Sequence, residues 1–326
     1  MRAAYYESNG AARAVLRLGD VPKPEPGAGE VRVKLMASGV NPSDVKAREG
    51  RTRKIAYPRV IPHSDGAGVI EAVGHGVGKS RVGERVWIWN AQWKRADGTC
   101  AEYVVVPEAM AAPLPAHVSF EEGACLGIPA MTAYQAVASA EAWAGSTLLV
   151  SGGAGGVGHY VLQFAKARGA VCIATVSSQA KAEFARQAGA DHTIDYKRED
   201  VGARVMDLTD NGGVDAVIEM DLSANAKLYP RVLRPRGTAV IYGMSTPEAQ
   251  IPSQWMLVNA ITLKFIFVYE LTGEERAAAI GEITRMLEAK RLINNVARTF
   301  PLSEIAAAHE AVEQGQVPGN VVISIA

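Results

Sequence analysis

Leu148-Leu149-Val150-Ser151-Gly152-Gly153-Ala154-Gly155-Gly156-Val157-Gly158 is an apolar strand that runs into a glycine cluster. A helical pattern follows over residues 159–168, and a second apolar run, Val171-Cys172-Ile173-Ala174-Thr175-Val176, comes after it. Gly153, Gly155 and Gly158 satisfy G-x-G-x-x-G. The spacing alone is a weak signal, because glycine turns follow many strands. Strand, glycines, helix and second strand in that order make it a dinucleotide site. Glycines there permit a tight turn and let backbone N–H groups approach a pyrophosphate at the helix N-terminus.

The end of the second strand chooses the dinucleotide. A site for NAD usually places Asp or Glu there, on the ribose 2′-hydroxyl. This chain offers Ser177, Ser178 and then Lys181. A carboxylate would repel a 2′-phosphate, whereas hydroxyls and an ammonium donate to it and neutralise it. NADPH is therefore expected over NADH. Ser178 also reads as a helix N-cap with Lys181 in the first turn, and the two roles are compatible.

Outward from this motif, strands and helices alternate. Helical patterns at 179–188, 200–209 and 224–233 separate apolar strands at 192–194, 214–220 and 238–242, and a long amphipathic helix covers 274–290. Such alternation specifies a doubly wound parallel sheet with right-handed crossovers. Residues 1–125 differ. Short apolar runs at 31–37, 68–73, 85–89 and 101–106 alternate with Gly/Pro turns, the signature of a small barrel or sandwich. The C-terminus is a helix at 305–313 and a strand at 321–325. That strand is expected to return to the first domain, because the parallel sheet is complete without it.

Composition narrows the function classes. The chain has 326 residues, room for two domains, with 48% hydrophobic and 21% charged residues. Its 34 basic and 34 acidic residues cancel, which gives no electrostatic reason to bind nucleic acid or an anionic membrane. Cys100, Cys125 and Cys172 form no C-x-x-C, so neither a disulfide framework nor a structural zinc lobe is suggested. The N-terminus lacks a signal-peptide core, no apolar run is long enough for a membrane span, and the expected location is cytoplasmic.

Five local segments carry a family resemblance. They are Ser38-Gly39-Val40-Asn41-Pro42-Ser43-Asp44, Ile61-Pro62-His63-Ser64-Asp65-Gly66-Ala67-Gly68-Val69-Ile70-Glu71-Ala72-Val73-Gly74, Gly83-Glu84-Arg85-Val86, Leu126-Gly127-Ile128-Pro129-Ala130-Met131-Thr132-Ala133-Tyr134, and Gly189-Ala190-Asp191-His192-Thr193-Ile194-Asp195-Tyr196. In this order they resemble the medium-chain dehydrogenase/reductase superfamily, and within it the zinc-free quinone oxidoreductases of the zeta-crystallin type. The resemblance implies an α/β architecture: a GroES-like β-rich catalytic domain (1–125 and 300–326) and a Rossmann NADPH-binding domain (126–299), with the active site in the cleft between them. It also implies a homodimer paired through the Rossmann edge, a role that the apolar stretch 256–269 suits.

Zinc-dependent members need three ligands at one site. In the matching segments this chain has Asn41 in place of a cysteine, Ser64 in place of a histidine with His63 displaced by one residue, and Ile128 near the third position. No metal is expected. Without a Lewis acid, a quinone or conjugated enone is a more natural partner than an alcohol. Asn41 is the first candidate for assisting at a carbonyl oxygen or positioning the nicotinamide ribose, and Asp44 for orienting the loop; Asn-Pro-Ser-Asp also reads as a plain turn. Many relatives carry tyrosine two residues after this aspartate, where this chain has Lys46.

The resemblance carries further cofactor contacts to Thr132 at the nicotinamide, to Ala154, Gly155, Gly156 and Val157 at the diphosphate, and to Ser177, Lys181 and Tyr196 at the 2′-phosphate and adenosine. It also implicates Tyr242, Gly243 and Met244 after the fifth Rossmann strand, Phe267 and Val268 over the nicotinamide, and Asn320 near the C-terminus. Phe267 and Val268 read equally well as core or subunit contacts. The leading expectation is an NADPH-dependent quinone oxidoreductase. The alternatives are an NADPH-dependent reductase of enones or enoyl thioesters, and a non-catalytic NADPH- or RNA-binding protein.

Overall fold

The computed structural model describes residues 1–315 and 317–325; Gln316 and Ala326, which fall within the expected segment 300–326, lie outside the described residues. The chain divides into two compact units, Met1–Pro129 with Ile280–Ala326, and Ala130–Ala279.

The first unit is built on the strand Glu30–Val40. Val31, Val33 and Leu35 recur at period two and are buried, and they pack with Ile70, Val86, Ile88 and Val104. This strand pairs antiparallel with three others, Asp65–Val73, Tyr103–Pro107 and Asn320–Ser324. Arg85–Ile88 and Ala111–Pro113 extend the sheet on one side, and Val296–Pro301 on the other. The C-terminal strand thus returns to the first unit, with Val321 opposite Val40. The helix Ile305–Glu313 joins it there, packing Ile305, Ala308 and Ala311 against Ala12, Leu16 and Val21 from the other end of the chain.

The sequence places the later domain boundary at 299/300, but the units divide at 279/280. Two observations account for the shift. Val296–Pro301 pairs parallel with Asn320–Ser324. The second half of the helix Gly273–Glu288 buries Ile283, Met286 and Leu287, and the Leu287 carbonyl lies 3.0 Å from His117 Nε2.

The second unit is a six-stranded parallel sheet in the order His192–Asp195, Val171–Val176, Thr147–Val150, Val214–Glu219, Leu233–Ile241, Thr262–Phe265. The strand order reverses between Thr147–Val150 and Val214–Glu219. That reversal opens the crevice where doubly wound sheets bind ligands, at the carboxyl ends of the strands. The expected helix at 224–233 is instead a short turn of α-helix, Leu222–Asn225, followed by a 3-10 segment, Ala226–Arg231. Pro230 lacks the N–H that an α-helical bond to the residue four back would need, so the α-helix does not continue through it. No helix among the described residues is long and apolar enough to cross a membrane.

Candidate functional site

In the second unit the glycine loop sits at the carboxyl edge of the sheet. Gly152 N–H donates to Thr175 Oγ1 (3.0 Å) and Gly153 N–H to the Thr175 carbonyl (3.1 Å), which hangs the loop on the neighbouring strand. The helix begins at Gly156, three residues before the apolar pattern suggests, with Gly155 as its N-cap. Gly156 and Val157 therefore contribute first-turn N–H groups, which have no partner inside the helix. A Cβ on Gly158 would lie 2.3 Å from the Gly152 carbonyl oxygen, so only glycine lets the helix pack this closely on the loop. This cradle fits a pyrophosphate.

Ser177, Tyr196, Tyr242 and Phe267 all follow the carboxyl ends of strands in this sheet. Ser177 follows Val171–Val176, Ser178 Oγ accepts from the Lys181 N–H (3.3 Å), and the Tyr196 N–H donates to the Val176 carbonyl (3.1 Å). Tyr196 is exposed and Lys181 half-buried. Tyr242 donates its N–H to Glu219 O (3.0 Å), Gly243 and Met244 continue that loop, and burial raises the Tyr242 hydroxyl far above its ordinary value. Thr132 is buried in the first turn of the helix Met131–Ser139. Phe267 is exposed beyond the edge strand with its ring 5.2 Å from that of Tyr269, and Val268 begins a 3-10 turn.

Glu219 was not singled out by the sequence, because an acid at a strand end reads as solvated. It is 1% exposed. It accepts from the Asp221 N–H (2.7 Å) and from Asn225 Nδ2 (2.9 Å), and Asn225 also donates to Ser151 Oγ (3.2 Å). Burial pushes the Glu219 carboxyl above its usual range. The network ties together the two strand ends that flank the reversal point.

In the first unit, Asn41 caps the helix Pro42–Glu49. Its N–H donates to Asp44 Oδ2 (2.8 Å), and its Nδ2 donates to Asp65 Oδ2 (2.7 Å). Both Asp65 oxygens lie 2.9 Å from the Ile128 N–H. Asp65 thus joins the Asn41 turn to the Leu126–Ala130 turn, and a Cβ on Gly127 would lie 2.1 Å from Asp65 Oδ1. Neither Asp44 nor Asp65 has an ion-pair partner among the described residues, and both are buried. Burial raises Asp44 to about 7, opposed by its bonds to Asn41 and by the charge of Arg53. Burial and the neighbouring Asp44 push Asp65 well above the carboxylate range. Asn320 enters the sheet across from Asn41 in the register that pairs Val321 with Val40, and its Nδ2 donates to the Asn295 carbonyl (3.2 Å).

These residues do not fit a zinc site. The Ile128 N–H faces Asp65, and His63 has both ring nitrogens engaged, Nδ1 with Ser38 Oγ (2.8 Å) and Nε2 with His309 Nε2 (3.0 Å). Among the described residues, no three His, Cys, Asp or Glu side chains converge. Thr99 Oγ1–H donates to the Asp65 carbonyl, so the chain of bonds has one direction: His309 donates to His63, His63 to Ser38, Ser38 to Thr99. Burial drives His63 down to about 3 and His309 well below its ordinary value, so both rings are neutral.

Comparison with known proteins follows the same division. A profile described as alcohol dehydrogenase GroES-like domain matches residues 27–116, and one described as zinc-binding dehydrogenase matches 156–285. A quinone oxidoreductase of Pseudomonas aeruginosa is 32% identical over 314 residues, covering 95% of this chain and 95% of that one. That of Rattus norvegicus is 31% identical over 301 residues, covering 91% and 90%. The crystal structure of Escherichia coli quinone oxidoreductase complexed with NADPH superposes with a TM-score of 0.90 at 26% identity, over all of both chains.

Proposed function

Since the chain belongs to the quinone oxidoreductases of the medium-chain dehydrogenase/reductase superfamily and is an NAD(P)H-dependent oxidoreductase, we propose that it reduces quinones with NADPH, without zinc. The observation that carries the reading is the Asn41–Asp65 bond beside a buried Asp44. One N–H of the Asn41 amide is committed to Asp65, which fixes the amide plane and aims the other N–H at the carbonyl oxygen of the acceptor. Such a preorganised donor stabilises negative charge as it develops on that oxygen. Asp44, raised to about 7, holds a proton at neutral pH for the reduced oxygen. When bound there, a nicotinamide would supply the reducing equivalents. Ala154, Gly155, Gly156 and Val157 would hold its diphosphate. Ser177, Lys181 and Tyr196 hold the 2′-phosphate and adenosine. Thr132, Tyr242, Gly243, Met244, Phe267, Val268, Asn41 and Asn320 complete the cofactor contacts.

The raised Asp44 carboxyl also favours a second reading, reduction of a conjugated enone or enoyl thioester. That reaction needs a proton donor near the α-carbon, and the sequence alone offers no tyrosine for it. Kinetics with 1,4-naphthoquinone against cyclohexenone and crotonyl thioester separate the two. The quinone reading expects the quinone to have the higher kcat/KM; a preference for the enone or thioester overturns it.

Two copies pair through the strand Thr262–Phe265, the last of the parallel sheet. Leu257 is 81% exposed, Val258 77% and Phe265 61%, an apolar group that a partner would cover.

A further inference from the structure

We infer that the acceptor carries a negatively charged group, a carboxylate, sulfonate or phosphate, and that Arg53 binds it. The inference rests on the reductase reading and names the substrate class of that same site.

The chain is neutral overall, yet residues 46–59 hold Lys46, Arg48, Arg51, Arg53, Lys54 and Arg59 against Glu49 alone. Several of these cations have structural partners. Arg48 is fully buried, paired with Glu313 and bonded to the Gly10 carbonyl. Arg51 lies 3.5 Å from Glu49, and Arg59 sits over the Tyr5 ring. Arg53 is held differently. Its Nη2 donates to Gln92 Oε1, and its guanidinium lies over the Trp93 ring at 5.4 Å. Gln92 is itself buried and anchored, its Nε2 donating to the Arg95 carbonyl (2.8 Å). Both partners of Arg53 are neutral, and among the described residues no carboxylate is in ion-pair contact with it.

A half-buried guanidinium fixed by an amide and an indole is a preorganised positive charge. One of its five N–H donors is used by Gln92, and the remaining fork matches an oxyanion. Lys94 adds a second cation over the same indole at 5.6 Å, and Tyr57 OH donates to the Lys94 carbonyl (2.6 Å), which locks the two segments together. The position suits an acceptor at Asn41, since the charge of Arg53 acts on both Asp44 and Tyr6. A plain loop clamp would gain nothing from leaving the guanidinium without a carboxylate.

The test compares 1,4-naphthoquinone with 1,4-naphthoquinone-2-sulfonate as acceptors for wild type, Arg53→Gln and Arg53→Lys. Intrinsic reactivity cancels when each variant is divided by wild type on the same acceptor. Arg53→Gln is expected to lose about tenfold more kcat/KM with the sulfonate than with the neutral quinone, chiefly through KM. Arg53→Lys recovers part of the difference, and raising the salt from about 0.05 to about 0.3 M erodes it in wild type. Equal losses on both acceptors overturn the inference while leaving the reductase reading intact. A wild type inert toward both overturns the reading, and the inference with it.

Discussion

Burial without a cation in contact raises a carboxyl's pKa, and Asp44 and Asp65 are both in that position. For Asp44 the folded value is raised, from 3.8 to about 7. Folding therefore favours the protonated form. Its stabilising contribution is complete below about pH 4 and is lost as the pH rises through about 7. Asp44→Asn keeps an acceptor for the Asn41 N–H, so urea unfolding should show a flatter pH dependence between 4 and 7 in the variant. An unchanged slope would mean that Asp44 is ionised in the native protein. The same substitution should lower kcat by about 100-fold at pH 6 and remove the fall in rate above 7, since general acids contribute on that scale. Asp65 was hidden in the sequence for a physical reason. It stands at the head of an apolar strand, where a carboxylate reads as the edge of a turn, and only the fold shows its bonds to Asn41 and Ile128. Arg53 was equally hidden, because a cation in a polar loop looks solvated until its partners are seen.

At the scale of elements, the glycine loop and its helix act as one piece. Gly158→Ala pushes a methyl into the Gly152 carbonyl, and backbone cannot yield as a side chain can. The expected cost is about 1–3 kcal/mol, with weaker NADPH binding from displacement of the loop, read by thermal unfolding and cofactor titration. Ordinary stability and affinity in this variant would contradict the close packing. Ser177→Asp combined with Lys181→Ala tests the 2′-phosphate contacts: the kcat/KM ratio of NADPH to NADH should fall at least about tenfold. An unchanged ratio would move the phosphate elsewhere. Much of this level was legible beforehand. The strand–glycine–helix–strand order, the alternation that follows and the returning C-terminal strand were all set by apolar periodicity, which burial enforces. The helix start at Gly156 was not legible, because its first turn faces the loop and carries no apolar signal. The Glu219–Asn225–Ser151 network was not legible either, since it joins residues up to 74 apart in sequence.

For the whole molecule, two titrating groups of opposite sign shape stability. Asp44, raised to about 7, weakens the protein as the pH rises toward neutrality. His63, lowered to about 3, contributes stability that is present above about 6.5 and lost as the pH falls toward 3. His63→Gln should flatten that acid limb. Assembly is the second property at this scale. Leu257→Asp with Val258→Asp places charge on the exposed apolar group beside the edge strand, and sedimentation should then show monomers where the parent chain shows dimers. A parent that is already monomeric would leave that edge without its proposed partner. The proposed activity is transfer of reducing equivalents from NADPH to a quinone. The most direct measurement is the rate of NADPH oxidation with and without 1,4-benzoquinone, with NADH in parallel. Rapid quinone-dependent loss of NADPH with little loss of NADH is expected; tight NADPH binding with no quinone-dependent turnover would overturn this activity.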